Sequence, residues 1–445
     1  MAAYIYIDPA SGATTSKWTY SVWCKRTGLN GLPQSLLTST GGGSTTYTEI
    51  TFNADDTLTF YNSDGGSADG QLKTSAKYRD IGAWMHVVCI YDSANGTTTD
   101  KMKMYVNGVE PDFQTDDAPS GNTTIGNTYP HFIGAYDSDA SRTANTQYFL
   151  GDMSHSQMYN NAVYAVTDFG SFDATSGIWK IKTSGPSATY GTNGWFLKME
   201  DRTNLDLDSS DNAYTFSTSG TLTATYDNPS NNFCTLNPLW TDTGYWSGDT
   251  GTPDISDGNL QGGKATHCNY LSTMATDTMK CYWEVYVNDT NQAFGIVGAR
   301  PTGGVTQGYN DTTYNAVYPY ASKIRTNGSE GSGGPASTAD SYYMFALDPA
   351  NNKMLYGREG TWVGDPAAGT GATWTTLPSV EFTPTAHPMA TTQENNSYFN
   401  FGNGYFGGTS SGTTEADDAG IGQFKYNVPT GFYALCTKNL KAYGG

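Results

Sequence analysis

A short stretch of this 445-residue sequence, Asp206-Leu207-Asp208-Ser209-Ser210-Asp211-Asn212, concentrates oxygen-bearing side chains. Oxygen donors gathered in one loop are what a hard cation prefers. Asp206, Asp208 and Asp211 are therefore the candidate ligands for a calcium ion. Their spacing completes no calcium-loop pattern, and carboxylates solvated in a turn are the simpler reading. The acidic group Asp137 to Asp139 is read the same way. No other metal or cofactor is expected.

Glycoside hydrolysis would need two carboxylates facing each other at ~5 or ~6.5–9.5 Å. Glu284 stands alone on its segment, and Glu200-Asp201 are adjacent, so in a strand they would point to opposite faces. All three are expected to be solvated or turn carboxylates. The five histidines, 86, 131, 155, 267 and 387, lie in no nucleophile-elbow, Cys/His or zinc-protease context. His86, flanked by apolar residues, reads as a satisfied core histidine. Gly41-Gly42-Gly43 and the Gly331 to Gly334 stretch lack the following helix and lysine of a phosphate loop. Catalysis is thus not expected. Glycan binding needs exposed aromatic faces with polar acceptors beside them. Tyr309, Tyr314, Tyr318, Trp362 and Tyr405 are candidates of that type, most of which must be strand or core residues.

The elements that would position these groups are strands. In Trp18 to Cys24 residues 18, 20, 22 and 24 share one face, as do Cys281, Trp283, Val285 and Val287 further on. Met102, Met104 and Val106 alternate with Lys101, Lys103 and Tyr105. Asn107-Gly108 then supplies the two left-handed positions of a tight hairpin. Trp84 to Tyr91 and Tyr342 to Leu347 are apolar on both faces, as buried strands are. Helical periodicity is nearly absent, and the best short helix lies near Val166 to Phe169. The pattern predicts an all-β chain of two antiparallel β-sandwiches in tandem. The first would span 1–225 and the second 261–445, joined by a Gly/Asp/Asn-rich linker at 226–260.

Composition agrees. Only 15% of residues are charged and 13% are aromatic, with 52 Gly and 18 Pro. Disordered chains are poor in aromatics, so disorder is excluded. Acidic side chains number 42 against 23 basic ones, a formal net charge of −19 that repels phosphate backbones. Nucleic-acid binding is therefore not expected. No apolar stretch approaches the ~18 residues of a membrane span. Met1 to Pro9 shows neither the basic region nor the apolar core of a secretory leader. The six cysteines (24, 89, 234, 268, 281, 436) form no CxxC pair and are read as small buried hydrophobes.

Two sets of segments carry family resemblances. Trp18 to Arg26, Trp84-Met85-His86-Val87-Val88 and Met104 to Gly108 resemble a laminin-G or concanavalin A-like lectin domain. Tyr282-Trp283-Glu284-Val285, Phe294-Gly295-Ile296, Phe345 to Asp348, Gly360-Thr361-Trp362 and Phe399 to Gly402 resemble a SPRY-like domain. The joining segments Asp168 to Asp173, Gly177 to Lys180, Tyr190 to Gly194, Asn231 to Leu239 and Val428 to Cys436 occur in that order. In this they are similar to a type of tailed-phage virion protein of marine and cyanobacterial phages. The resemblance implies a jelly-roll pair serving as a non-enzymatic head or tail appendage. It would assemble with other virion proteins as a homo-oligomer, a trimer by expectation, on the particle surface, and bind host surface glycans. A polysaccharide depolymerase on the same scaffold is the alternative.

Overall fold

A computed structural model describes residues 3–41, 45–119, 121–137, 145–186, 189–239, 254–264, 270–290, 292–297, 315–319, 322–336, 338–377, 383–388 and 395–444. Alternation of apolar and polar residues in short, turn-bounded segments gives a chain that is almost wholly β-structure. One α-helix occurs among the described residues, Thr437–Tyr443. The chain divides into two compact units, Met1–Ala224 and Thr225–Gly445.

The first unit is a sandwich of two antiparallel sheets. Its eight-stranded sheet runs Ser217–Ser219, Tyr4–Ile7, His131–Ile133, Gln34–Thr40, Tyr47–Phe52, Thr57–Asp64, Ser67–Lys77, Phe113–Asp117. Its five-stranded sheet runs Trp195–Leu197, Gly151–Asn160, Lys17–Arg26, Met85–Asp92, Met102–Val106. The alternation read from the sequence sends Trp18, Tyr20, Val22 and Cys24 inward, where they meet Leu37, Ile50, Phe60 and Leu72 of the other sheet. Asn107 and Gly108 adopt φ of 50° and 80°, closing the anticipated tight turn. Glycine is required at 108 twice over, since a Cβ there would lie 2.4 Å from the Trp179 ring.

Trp179 explains part of the joining motifs. Its indole lies between Gly108 and Gly170, where a Cβ would come equally close. Its Nε1–H donates to His86 Nδ1 at 3.0 Å. Indole only donates, so His86 carries its proton on Nε2 and donates to Ser21 Oγ at 2.8 Å. Burial pushes the His86 pKa down to about 3. His86 is thus a neutral, fully satisfied core histidine and cannot act as a base toward Ser21. The anticipated short helix is a 3₁₀ turn, Val166–Asp168.

The second unit is also a sandwich. One sheet runs Asp254–Ser256, Gln261–Lys264, Asn395–Asn400, Cys281–Val287, Ser341–Asp348, Lys353–Arg358, Thr361–Trp362. Tyr433–Ala434 joins Cys281–Val287 in parallel, the one parallel pair among the described strands. The other sheet runs Tyr270–Leu271, Thr383–Pro388, Gln292–Val297, Asn315–Tyr318, Lys323–Thr326, Ser329–Ser332. Trp283, Val285, Phe345 and Phe399 pack on Phe294, Ile296 and Val317 between them.

The anticipated linker at 226–260 is built into this unit over its described residues. The Asn228–Asn231 turn is present. It leads directly into Phe233, Cys234 and Leu236, which are core side chains, as is Leu260. Phe233 pairs with Cys436, and Asn231 Oδ1 accepts the Lys438 N–H at 3.0 Å in the first turn of the terminal helix. The composition of this stretch reads as a spacer because polar turn residues surround the few apolar ones that enter the core. Cys24, Cys89, Cys234, Cys281 and Cys436 are buried free thiols, and Cys268 lies outside the described residues.

Candidate functional site

The calcium candidates do not converge on a cation. Asp208 is buried, and both of its oxygens are engaged by the protein's own donors. Oδ1 accepts from Phe196 N (2.8 Å) and Ser210 N (2.9 Å), while Oδ2 accepts from Ser210 Oγ (2.9 Å) and Tyr214 N (2.9 Å). Asp211 is exposed and accepts the Tyr190 N–H, and Asp206 is half-buried. No group of three acidic, His or Cys side chains is arranged to hold a metal among the described residues. The loop is a hydrogen-bonded staple between Asp208 and its neighbours. Asp137 is buried, and Asp139 lies outside the described residues.

Glu284 is corrected more sharply. It was expected to be a solvated carboxylate and is fully buried on the outer face of its sheet. The segment after Phe424 crosses over it and brings Lys425 N (2.9 Å) and Tyr426 N (2.8 Å) to the carboxylate. Tyr282 Oη (2.8 Å) and Asn400 Nδ2 (3.2 Å) donate as well. Burial raises its pKa to about 7, against the opposing pull of these donors. Glu200 and Asp201 are exposed, as anticipated.

Of the aromatic candidates, Tyr318 is buried and Tyr405 packs against the core. Trp362 is half-buried beside Tyr282. Tyr309 and Tyr314 lie outside the described residues.

A site missed by sequence reasoning stands on the outer face of the first unit's eight-stranded sheet. Cross-strand register places Thr38 opposite Glu49, Glu49 opposite Tyr61, and Tyr61 opposite Gln71. Directly opposed side chains share a face. Tyr47, two residues before Glu49, shares it too and meets Tyr61 with ring centroids 5.5 Å apart. Tyr136 reaches in from the short strand Tyr136–Asp137 and sets its edge on Tyr47 at 5.6 Å. All four side chains are half-buried.

Within this group Glu49 Oε2 is shielded from solvent and has no hydrogen-bond partner. Burial alone pushes its pKa up to about 7, with no contribution from a neighbouring carboxylate. A buried polar atom without a partner costs free energy, ~1–3 kcal/mol, so its persistence beside three tyrosines marks a place where a ligand hydroxyl could complete the set. Two positions along the same register line, Phe132 and Tyr6 extend the aromatic face with Tyr4 and Tyr148. The local signal was available in Tyr47-Thr48-Glu49, where an aromatic and a carboxylate share one face of a strand.

Residues 2–165 match the concanavalin A-like lectin/glucanases superfamily. The match falls within the first unit, on the strands that carry Glu49 and its tyrosines. No curated protein sequence matches the chain. Solved structures similar to it include a heptameric SAP-like pentraxin from Limulus polyphemus, at 14% identity, covering 37% of this chain and 72% of that one, with a TM-score of 0.29. The SPRY domain of human HERC1 shows 12% identity over 33% of this chain and 91% of that one, with a TM-score of 0.27. A provisionally assigned carbohydrate-binding protein from Bacteroides ovatus shows 17% identity over 49% and 56%, with a TM-score of 0.31. No helix among the described residues is long and apolar enough to cross a membrane.

Proposed function

We propose that the protein is a non-enzymatic, lectin-like component of a tailed-phage particle that binds host surface glycans through the Glu49 face. The observation that carries the binding role is the unpartnered Glu49 carboxyl set among Tyr47, Tyr61 and Tyr136 on the sheet of a lectin-type sandwich. Sugar rings present apolar C–H faces to aromatics and hydroxyls to acceptors, and this group offers both. The virion role rests on the ordered joining motifs, and with it the expected trimer and neighbouring virion proteins.

A depolymerase is the second reading, because a carboxyl with a pKa near 7 could serve as a general acid. Among the described residues no neighbouring carboxylate acts on Glu49, whereas hydrolysis requires a second one. The test is glycan-array and calorimetric binding to host polysaccharide, with mass spectrometry of purified particles. Tyr61→Ala should weaken binding at least tenfold, about 1.4 kcal/mol, with the melting temperature nearly unchanged. Reducing ends released by the wild-type protein and abolished in Glu49→Gln would sink the non-enzymatic reading. Absence from the particles would sink the virion role.

A further inference from the structure

The second unit carries an aromatic row of its own, beyond the part of the sheet covered by the segment over Glu284. Tyr398, Tyr286 and Tyr342 come from adjacent strands and are direct cross-strand neighbours. Their ring centroids lie 5.5 and 4.7 Å apart, and all three are half-buried. Phe406 and Tyr426 close the row against Tyr342 at 5.0 and 6.2 Å.

The rim fixes these rings. Tyr286 Oη donates to Asp340 Oδ1 at 2.9 Å, and Tyr426 Oη donates to Glu359 Oε2 at 2.7 Å. Glu359 Oε1 also accepts the Tyr342 N–H at 2.7 Å. Asp340 and Glu359 hold φ of 52° and 49°, a left-handed backbone that glutamate rarely adopts. A preset platform results, since the rings need no further ordering to meet a ligand. Lys425 adds charge. Its ammonium sits 4.5 Å from the Tyr342 ring centroid and 5.7 Å from that of Tyr426, held by ring faces rather than by a carboxylate.

We propose that this row binds an anionic pyranose of a surface polysaccharide. The sugar ring stacks on Tyr286 and Tyr398, and its carboxylate or sulfate meets the Lys425 ammonium. Charge-assisted hydrogen bonds are stronger than neutral ones, so Lys425 selects the anionic sugar over its neutral counterpart. The net charge of −19 means the chain as a whole does not attract a polyanion. Binding must therefore come from a local site. The inference does not depend on the Glu49 face of the first unit.

The test is calorimetric titration of the full chain with polygalacturonate, dextran sulfate and neutral dextran. One anionic polymer should bind at least tenfold more tightly than dextran, and which one it is tells carboxylate from sulfate. Lys425→Gln should remove that preference and Lys425→Arg should restore it, a rescue that a folding defect would not show. Equal affinity for dextran and both polyanions, no binding at all, or an unchanged preference in Lys425→Gln would overturn the proposal.

Discussion

Two glutamates, one in each unit, face the same problem and meet it differently. Glu49 and Glu284 each lie on the outer face of a large sheet, and burial raises each carboxyl to a pKa of about 7. Glu284 is met by donors from Tyr282, Asn400, Lys425 and Tyr426. Glu49 Oε2 has no partner among the described residues. Burial and a raised pKa therefore do not by themselves tell whether a carboxylate's hydrogen bonds are made. Counting donors does, because the interior tolerates a polar group only when its hydrogen bonds are made. Glu284 pins the C-terminal segment to its sheet, whereas Glu49 leaves an acceptor open at the edge of a tyrosine cluster.

The largest effect that comparison predicts is in folding stability. Glu284→Ala strands four donors under the covering segment and should cost roughly 4 kcal/mol, at about 1 kcal/mol or more for each orphaned group. Glu49→Ala removes an atom that bonds nothing and should cost under ~1 kcal/mol. Urea unfolding of the two variants measures both. Equal losses would mean that Glu49 is as structural as Glu284.

Next comes the pH profile. In the folded chain Glu49 stays protonated up to about pH 7, whereas in the unfolded chain it ionises near pH 4.3. The folded state then binds the extra proton between those values, so Glu49 costs stability as pH rises through that window. His86, His131 and His155 act with the opposite sign. Burial holds them at about 3, 4 and 4, so they cost stability as pH falls below ~6.5. The wild-type curve mixes the two trends, and the difference between variants isolates one. Glu49→Gln should match the wild type near pH 4.5 and exceed it at pH 8 by about 1–3 kcal/mol. A difference that stays flat with pH would show that Glu49 is not held protonated.

The strands were legible in the sequence because their signal is local. Trp18 to Cys24 and Cys281 to Val287 each carry their inward face in their own alternation, and Asn107-Gly108 carries its turn in its own backbone preference. The sites were not legible in that way. Glu284 reads as a lone surface carboxylate because its cover comes from residues 141 and 142 positions away. Tyr47-Thr48-Glu49 displays an aromatic and an acid on one face, but which face stays open is decided by the sheet packed behind it. The joining motifs were visible as motifs while their physical task was hidden. Gly170 and Trp179 fit against Gly108, and Asn193 Nδ2 donates to Ser11 O and Gly126 O. These contacts close a sandwich.

The smallest effect tests the comparison at a single hydrogen bond. Tyr282 Oη supplies one of the four donors to Glu284, so Tyr282→Phe should cost about 1 kcal/mol. That cost should grow from pH 5 to pH 8, because the ionised carboxylate depends on its donors more than the protonated one does. Tyr61 Oη makes no such bond to Glu49 although the two are direct cross-strand neighbours, so Tyr61→Phe should change stability by less than ~0.5 kcal/mol at either pH. A double-mutant cycle of Tyr282→Phe with Glu284→Gln should show coupling, while Tyr61→Phe with Glu49→Gln should be additive. Coupling in the second pair would mean that the tyrosine cluster already satisfies Glu49 in the free protein, leaving no acceptor for a sugar hydroxyl.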